Sequence, residues 1–276
     1  MPTIICPKAY KGREDTIQAL KKYFAAGGHH SAGHLVRGIH TYTAKYGLSY
    51  EDMARFELAT VIAMLVNTLP SAFWMLYYIY KQPVLLAELR TEIAAIVHEG
   101  RDTSGVRTRT IGVKDLKASC PLLNSTWMEV LRHHADGSSF REVTADTVLE
   151  NKYLLKKGNV VQMPAIVIHN DQRVWGPDAA SFNAYRHLGM EHARKVKAGS
   201  GGVLSGEQAQ MKSQTAPGAF RAFGGGQTLC PGRHFVTTEL LSLTAMMILR
   251  FDIVPVDKGV WPTLGWNDMD MSAAIT

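Results

Sequence analysis

Cys230 sits at the end of a run of glycines and directly before a helical pattern, in Phe223-Gly-Gly-Gly-Gln-Thr-Leu-Cys230-Pro-Gly-Arg-His-Phe235. A cysteine thiolate is a strong electron donor to iron, and it persists only where N–H groups or the positive end of a helix hold its charge. Glycines at 224 to 226 let the backbone fold closely beneath a sulfur and turn amides toward it. Pro231 starts a helix without forfeiting a hydrogen bond, which would aim the positive helix end at Cys230. Phe223 is placed to cover such a ligand from water, which matters because solvent exposure tunes a metal centre. By itself the loop also suits a small buried cysteine beside a Gly-rich turn.

Two further groups could do chemistry. Glu129 and Arg132 stand three apart on one helix face; such a pair contributes little when exposed but fixes a buried packing node when another charge joins it. In Asn67-Thr68-Leu-Pro70, the proline has no N–H for the carbonyl of Val66, so a helix there distorts and frees polar groups near Asn67 and Thr68. The pairs His29-His30 and His133-His134 lack further ligands at zinc spacing and read as surface or cap residues.

The elements that must position these groups are mostly helical. Helical spacing is predicted over Tyr10–Ala26, after Ser31 as far as Gly47, over 49–80, over Val84–His98, over Leu122–His133, and from Pro231 to Phe251. Ser49, three residues before Asp52, has the arrangement of a helix cap. The uncharged run Leu58–Tyr80 is long enough to cross a bilayer. Asn67, Thr68, Pro70 and Ser71 at its middle favour a helix buried in a domain core instead. Residues 101–112 read as a polar loop, Tyr153–Leu155 and Val160–Met163 as a hairpin about Lys156–Asn159, and 199–218 as a flexible insertion.

The chain has 276 residues, 46% of them hydrophobic and 20% charged, which suits globular folding. Its net charge of +6 is not gathered into a run that would bind nucleic acid. Three cysteines without C-x-x-C spacing argue against a disulfide scaffold and for a reducing compartment, and the first residues lack the marks of a signal peptide.

Phe223-x-x-Gly226-x-x-x-Cys230-x-Gly232 resembles the haem-ligand signature of cytochromes P450. Glu129-x-x-Arg132 resembles that family's Glu-x-x-Arg motif, and Phe182-Asn-Ala-Tyr-Arg186-His resembles the segment that supplies its third member, Arg186. Asn67-Thr68 resembles the oxygen-groove segment of the family's long helix, with Asn67 where an acid is usual. Together with Thr228, it is closest in style to the branch of sterol 7/12-alpha-hydroxylases and prostacyclin synthase, where fungal members are common.

The resemblance implies a mainly α fold with a small β portion, the C-terminal part of the P450 fold, over 1–276. It implies haem b (iron protoporphyrin IX) on Cys230, with Phe223, Gly226, Gly232, Arg233 and His169 around the cofactor. It also implies Asn67 and Thr68 in oxygen and proton handling, and Ser138, Ser139 and Phe140 lining substrate. The expected activity is monooxygenation of a lipophilic, sterol-like substrate, using O2 and electrons that an NADPH-cytochrome P450 reductase delivers to a basic face near Arg221 and Arg233. The expected location is the cytosolic face of the endoplasmic reticulum membrane. Isomerisation of the prostacyclin-synthase kind, a non-catalytic remnant and a membrane-spanning interaction protein are the alternatives. The motifs cover the second half of a P450, so a truncated chain is expected.

Overall fold

The structure, a computed structural model, describes residues 6–188, 218–257 and 259–261. The expected insertion over 199–218 therefore lies outside the described residues, apart from Gly218. The chain divides after Val66 into two compact units.

In the first unit, α1 (Pro7–Ala25) and α2 (His34–Lys45) accompany α3 (Tyr50–Leu65). Ile17 and Phe24 of α1, seven residues apart on one face, are buried with Met53 and Ala54 of α3. Ser49 caps α3 as expected, its hydroxyl oxygen accepting from the Asp52 amide at 3.2 Å.

The single helix expected over 49–80 is two. α3 ends at Leu65 and α4 runs over Thr68–Lys81. Pro70 brings no donor to the carbonyl of Val66, and the ladder restarts with the Ser71 amide and hydroxyl on the carbonyl of Asn67, at 3.3 and 2.8 Å. The expectation of a fully buried helix is also corrected. Tyr50–Lys81 is long and apolar enough to cross a membrane by length and composition, and little of its apolar stretch is buried. Val61, Ile62 and Leu65 are exposed, whereas Met75 and Ile79 of α4 are fully buried.

The second unit is built around α4, α5 (Pro83–Ala94), α7 (Pro121–His134) and a last helix, Arg233–Arg250. Leu85, Leu89 and Ile93, spaced by four on α5, meet Leu123, Trp127 and Val130 of α7 and Leu240, Leu241 and Ile248 of the last helix in one cluster. Each such aliphatic side chain contributes about 1.5–3 kcal/mol by leaving water. Glu92 of α5 accepts from the amides of Leu122 and Leu123 at 2.8 and 3.0 Å, so α5 caps the start of α7.

Among the described residues three two-stranded antiparallel ribbons carry the β structure. The helix expected to reach His98 stops at Ala94, and the expected polar loop is a hairpin of β1 (Val97–Arg101) and β2 (Arg107–Ile111). Its turn is closed by the Asp102 carboxylate, which accepts from the Ser104 and Val106 amides, a polar signal that hydrophobic periodicity does not register. A short α6 (Val113–Ser119) precedes α7.

The hairpin expected about Lys156–Asn159 is re-partnered. β4 (Thr147–Leu149) pairs with β5 (Tyr153–Leu155), while β6 (Val160–Pro164) pairs with β3 (Ser138–Glu142). Glu150 and Asn151 both adopt left-handed φ, 52° and 54°, and make the two-residue turn whose twist suits a hairpin. Residues 165–175 form α8 (Ala165–His169) and α9 (Gln172–Trp175), and Arg233–Arg250 is α10.

Candidate functional site

The loop before α10 folds back on itself. The Cys230 amide donates to the carbonyl of Phe223 at 2.9 Å, and the Gly224 amide to the carbonyl of Arg221 at 2.9 Å. Gly224 has φ 75°, and a Cβ there would stand 3.2 Å from the backbone oxygen of Thr228. At Gly225 a Cβ would press on the Arg221 guanidinium at 2.9 Å, so that side chain would have to shift, whereas at Gly224 both the backbone sign and a neighbouring carbonyl favour glycine. α10 begins at Arg233, two residues later than Pro231 would have started it, with Gly232 as its N-cap. A Cβ on Gly232 would lie 3.7 Å from the Cys230 sulfur, which places the helix entry beside the thiol. Arg233 donates from Nη1 to the Cys230 carbonyl at 2.9 Å and locks the ligand residue to the helix. Cys230 and Phe223 are half-buried, and Gly226 to Leu229 are exposed.

Two guanidinium groups flank this loop. Arg141 donates to the carbonyl of Gly225 at 2.9 Å and to Thr228 Oγ1 at 3.0 Å. Arg221 turns toward Gly225 and Ser139, and its buried Nε has no hydrogen-bond partner among the described residues, so its side chain points inward and not to the outward basic face expected of it. Sequence reasoning missed Arg141, although alternation along β3 could have found it: Ser139 and Arg141 share the loop-facing side, with Ser138 and Phe140 on the other. Of the three residues expected to line substrate, only Ser139 therefore faces the loop.

Behind the loop lies a buried ionic network in which the structure joins Glu129, Arg132 and Arg186. Arg132 donates from Nε and Nη2 to the two Glu129 oxygens at 2.8 Å each, and Arg186 Nε to Oε1 at 2.9 Å. The Asn183 amide and His187 Nε2 complete the carboxylate's shell at 3.0 and 3.2 Å. Asp178, unforeseen, takes Arg186 from the other side at 2.9 and 3.0 Å. Burial pushes the Glu129 carboxyl up, but bonds from Arg132 and His187 and the arginine charges outweigh it and bring it to about 2. With Arg132 and Glu129 fully buried, every remaining donor must be matched, and Arg132 meets the carbonyls of His169 and Ala179 at 2.6 and 2.7 Å.

His169, expected beside the cofactor, is fully buried at the end of α8 and has no surface left for a bound group. Its Nε2 faces the Arg221 amide at 2.8 Å. Burial, with the Arg132 charge nearby, lowers its pKa to about 4, so the ring is neutral near pH 7. Thr68 is half-buried on the first turn of α4, a helix that packs against α7 and α10, while Asn67 is exposed and caps no helix amide.

A family model described as Cytochrome P450 matches residues 37–272. The chain belongs to the cytochrome P450 family. Its mainly helical fold agrees with a solved P450, "Crystal structure of a Cytochrome P450 (CYP102L1)", at TM-score 0.57 and 22% identity, covering 76% of this chain and 41% of that one. Similar P450 sequences include a cytochrome P450 monooxygenase of Hypoxylon pulicicidum, 37% identical over 95% of this chain and 48% of that protein. The 25-hydroxycholesterol 7-alpha-hydroxylase of Rattus norvegicus is 28% identical over 77% of this chain and 49% of its own. The chain spans about half the length of these curated relatives.

The residues present fit the haem that the P450 family implies. Among the described residues no group of three or more His, Cys, Asp or Glu could hold a metal ion by itself, and a lone thiol would suit an iron whose remaining ligands a porphyrin supplies. The unpartnered Nε of Arg221, with Arg141 beyond the same loop, offers cations for the two carboxylates of haem b.

Proposed function

We propose that this chain is the haem-binding half of a P450 monooxygenase that inserts one oxygen atom from O2 into a lipophilic, sterol-like substrate. The observation that carries the reading is the single thiol held at the entry of α10 by Arg233 and a crowded glycine loop, beside two inward-turned arginines. When bound, haem b would supply oxygen activation, with electron density donated by the thiolate favouring O–O cleavage.

The chain's own residues do the rest. Cys230 Sγ would hold the haem iron, and the bond from its amide to the Phe223 carbonyl together with Arg233 fixes the residue in the loop. Gly226 leaves the Arg141 guanidinium close beside the loop, and Gly232 brings the helix entry next to the sulfur. Arg141 and Arg221 would pair with the haem carboxylates, and the Thr68 hydroxyl would hold and pass a proton. Asn67 has an amide in place of a carboxylic acid, so it orients by hydrogen bonding and does not supply the proton itself.

The sterol-like substrate rests on relatives named for hydroxylating 25-hydroxycholesterol and a cholestenone. NADPH-cytochrome P450 reductase is the proposed electron donor, and the cytosolic face of the endoplasmic reticulum membrane the proposed location. Asn67 in the acid position favours one second reading, an isomerase that needs no reductase.

The test is to reconstitute the 276-residue chain with haem, reduce it, add carbon monoxide and record the difference spectrum. A strongly red-shifted Soret band that is lost in Cys230→Ser supports thiolate ligation, and an unchanged spectrum in that variant overturns it. Turnover of a sterol that ceases without reductase separates oxygenation from isomerisation.

A further inference from the structure

One buried side chain in the second unit has no catalytic task and still joins the two halves of the site. His169 is fully buried, and it is gripped from both ends. Its backbone carbonyl accepts from Arg132 Nη1 at 2.6 Å, which fixes it to the Glu129 network on α7. Its ring Nε2 accepts the Arg221 amide at 2.8 Å. The Arg221 carbonyl in turn accepts the Gly224 amide at 2.9 Å, and the Phe223 carbonyl accepts the Cys230 amide at 2.9 Å. Stacking on Phe220, with ring centroids 5.7 Å apart, and an edge contact with Trp175 at 6.1 Å hold the plane of the imidazole.

We propose that His169 is a positioning residue, a buried neutral acceptor that transmits the rigidity of the Glu129–Arg132 pair through the Arg221 amide to the loop presenting Cys230. The path is contiguous and short: carboxylate to guanidinium, guanidinium to peptide oxygen, imidazole to peptide N–H, and then two loop-internal bonds that end at the cysteine. An imidazole suits the position because only its unprotonated Nε2 can accept, and burial keeps it unprotonated near neutrality. A protonated ring would present a second N–H to the Arg221 amide, leaving two donors face to face in an apolar setting.

The proposal places His169 in the same site as the function proposed above, yet its test needs no haem. Amide hydrogen exchange is followed in the haem-free chain for the wild type, His169→Phe and His169→Gln. Phenylalanine keeps the stacking volume without an acceptor, and glutamine extends an amide oxygen toward the place of Nε2.

In His169→Phe, the amides of Arg221, Gly224 and Cys230 are expected to exchange roughly three- to ten-fold faster, the factor that one ordinary hydrogen bond supplies. Amides of α5 and α7 are expected to keep their protection, and His169→Gln to regain most of the loss at the loop. A general loss across α5 and α7 would mark a merely structural residue and overturn the proposal, as would loop amides that do not respond to the Phe substitution. Should neither variant fold, the wild type decides: the Arg221 amide must be protected to the same degree as the Gly224 amide, and fast exchange there refutes the coupling. Since no cofactor takes part, an absent red-shifted Soret band would refute haem ligation while leaving this result standing.

Discussion

Replacing Glu129 with glutamine removes a charge without changing the volume of a site that has no room to relax. The carboxylate is fully buried and receives Arg132 twice, Arg186, His187 and the Asn183 amide. Its pKa is drawn from 4.5 to about 2, and that difference is equivalent to about 3 kcal/mol of differential stabilisation of the charged form. Glu129→Gln leaves two buried guanidinium groups short of an anion, so the loss should fall at about 3 kcal/mol, within the range seen when one partner of a buried pair is removed. The sign follows from linkage. A folded pKa below the unfolded one gives stability that is present above about pH 4.5 and is lost as pH falls toward 2. Denaturant unfolding of the wild type and the variant from pH 8 to pH 3 should therefore show a gap that is constant down to about pH 5 and then narrows. A gap under about 1 kcal/mol at pH 7, or one that widens toward acid, would refute the view that this network is held together by an ionised Glu129.

Gly224→Ala should cost about 1–2 kcal/mol, since φ is 75° and the new Cβ meets the Thr228 carbonyl, and haem titration should show weaker retention with a diminished thiolate spectrum. Glu92→Ala removes the acceptor for the first amides of α7 and should lower stability by about 1 kcal/mol in denaturant unfolding. Asn151→Gly, at a position with left-handed φ, should stabilise the β4–β5 ribbon by about 0.5 kcal/mol; unchanged amide protection in residues 147–155 would contradict that turn geometry.

Much of the chemistry was legible in the chain itself. A cysteine behind three glycines, a Glu and an Arg three apart, and a proline after Asn67-Thr68 each carry a local requirement, and local requirements are written in adjacent residues. The helices with apolar residues at regular spacing were equally plain, because burial of one face leaves a period in the sequence. What local signals could not determine was partnership. Val160–Met163 is a strand by composition, yet its ladder to Ser138–Glu142 depends on a turn at Glu150-Asn151 that takes the nearer strand away. The hairpin over 97–111 escaped notice because its strands are mostly polar and exposed, which leaves no apolar alternation to read. Arg141 and Asp178 enter the site only when β3 reaches the ligand loop and the segment after α9 folds over Arg186. His169, expected beside the cofactor, is fully buried with its Nε2 on the Arg221 amide, a partnership that adjacent residues do not announce. The sequence by itself determined which residues could do the chemistry and on which kinds of element they lie. Only the tertiary structure decided which buried donor meets which acceptor, because a side chain far along the chain satisfies a buried polar group as well as a near one, and packing chooses between them.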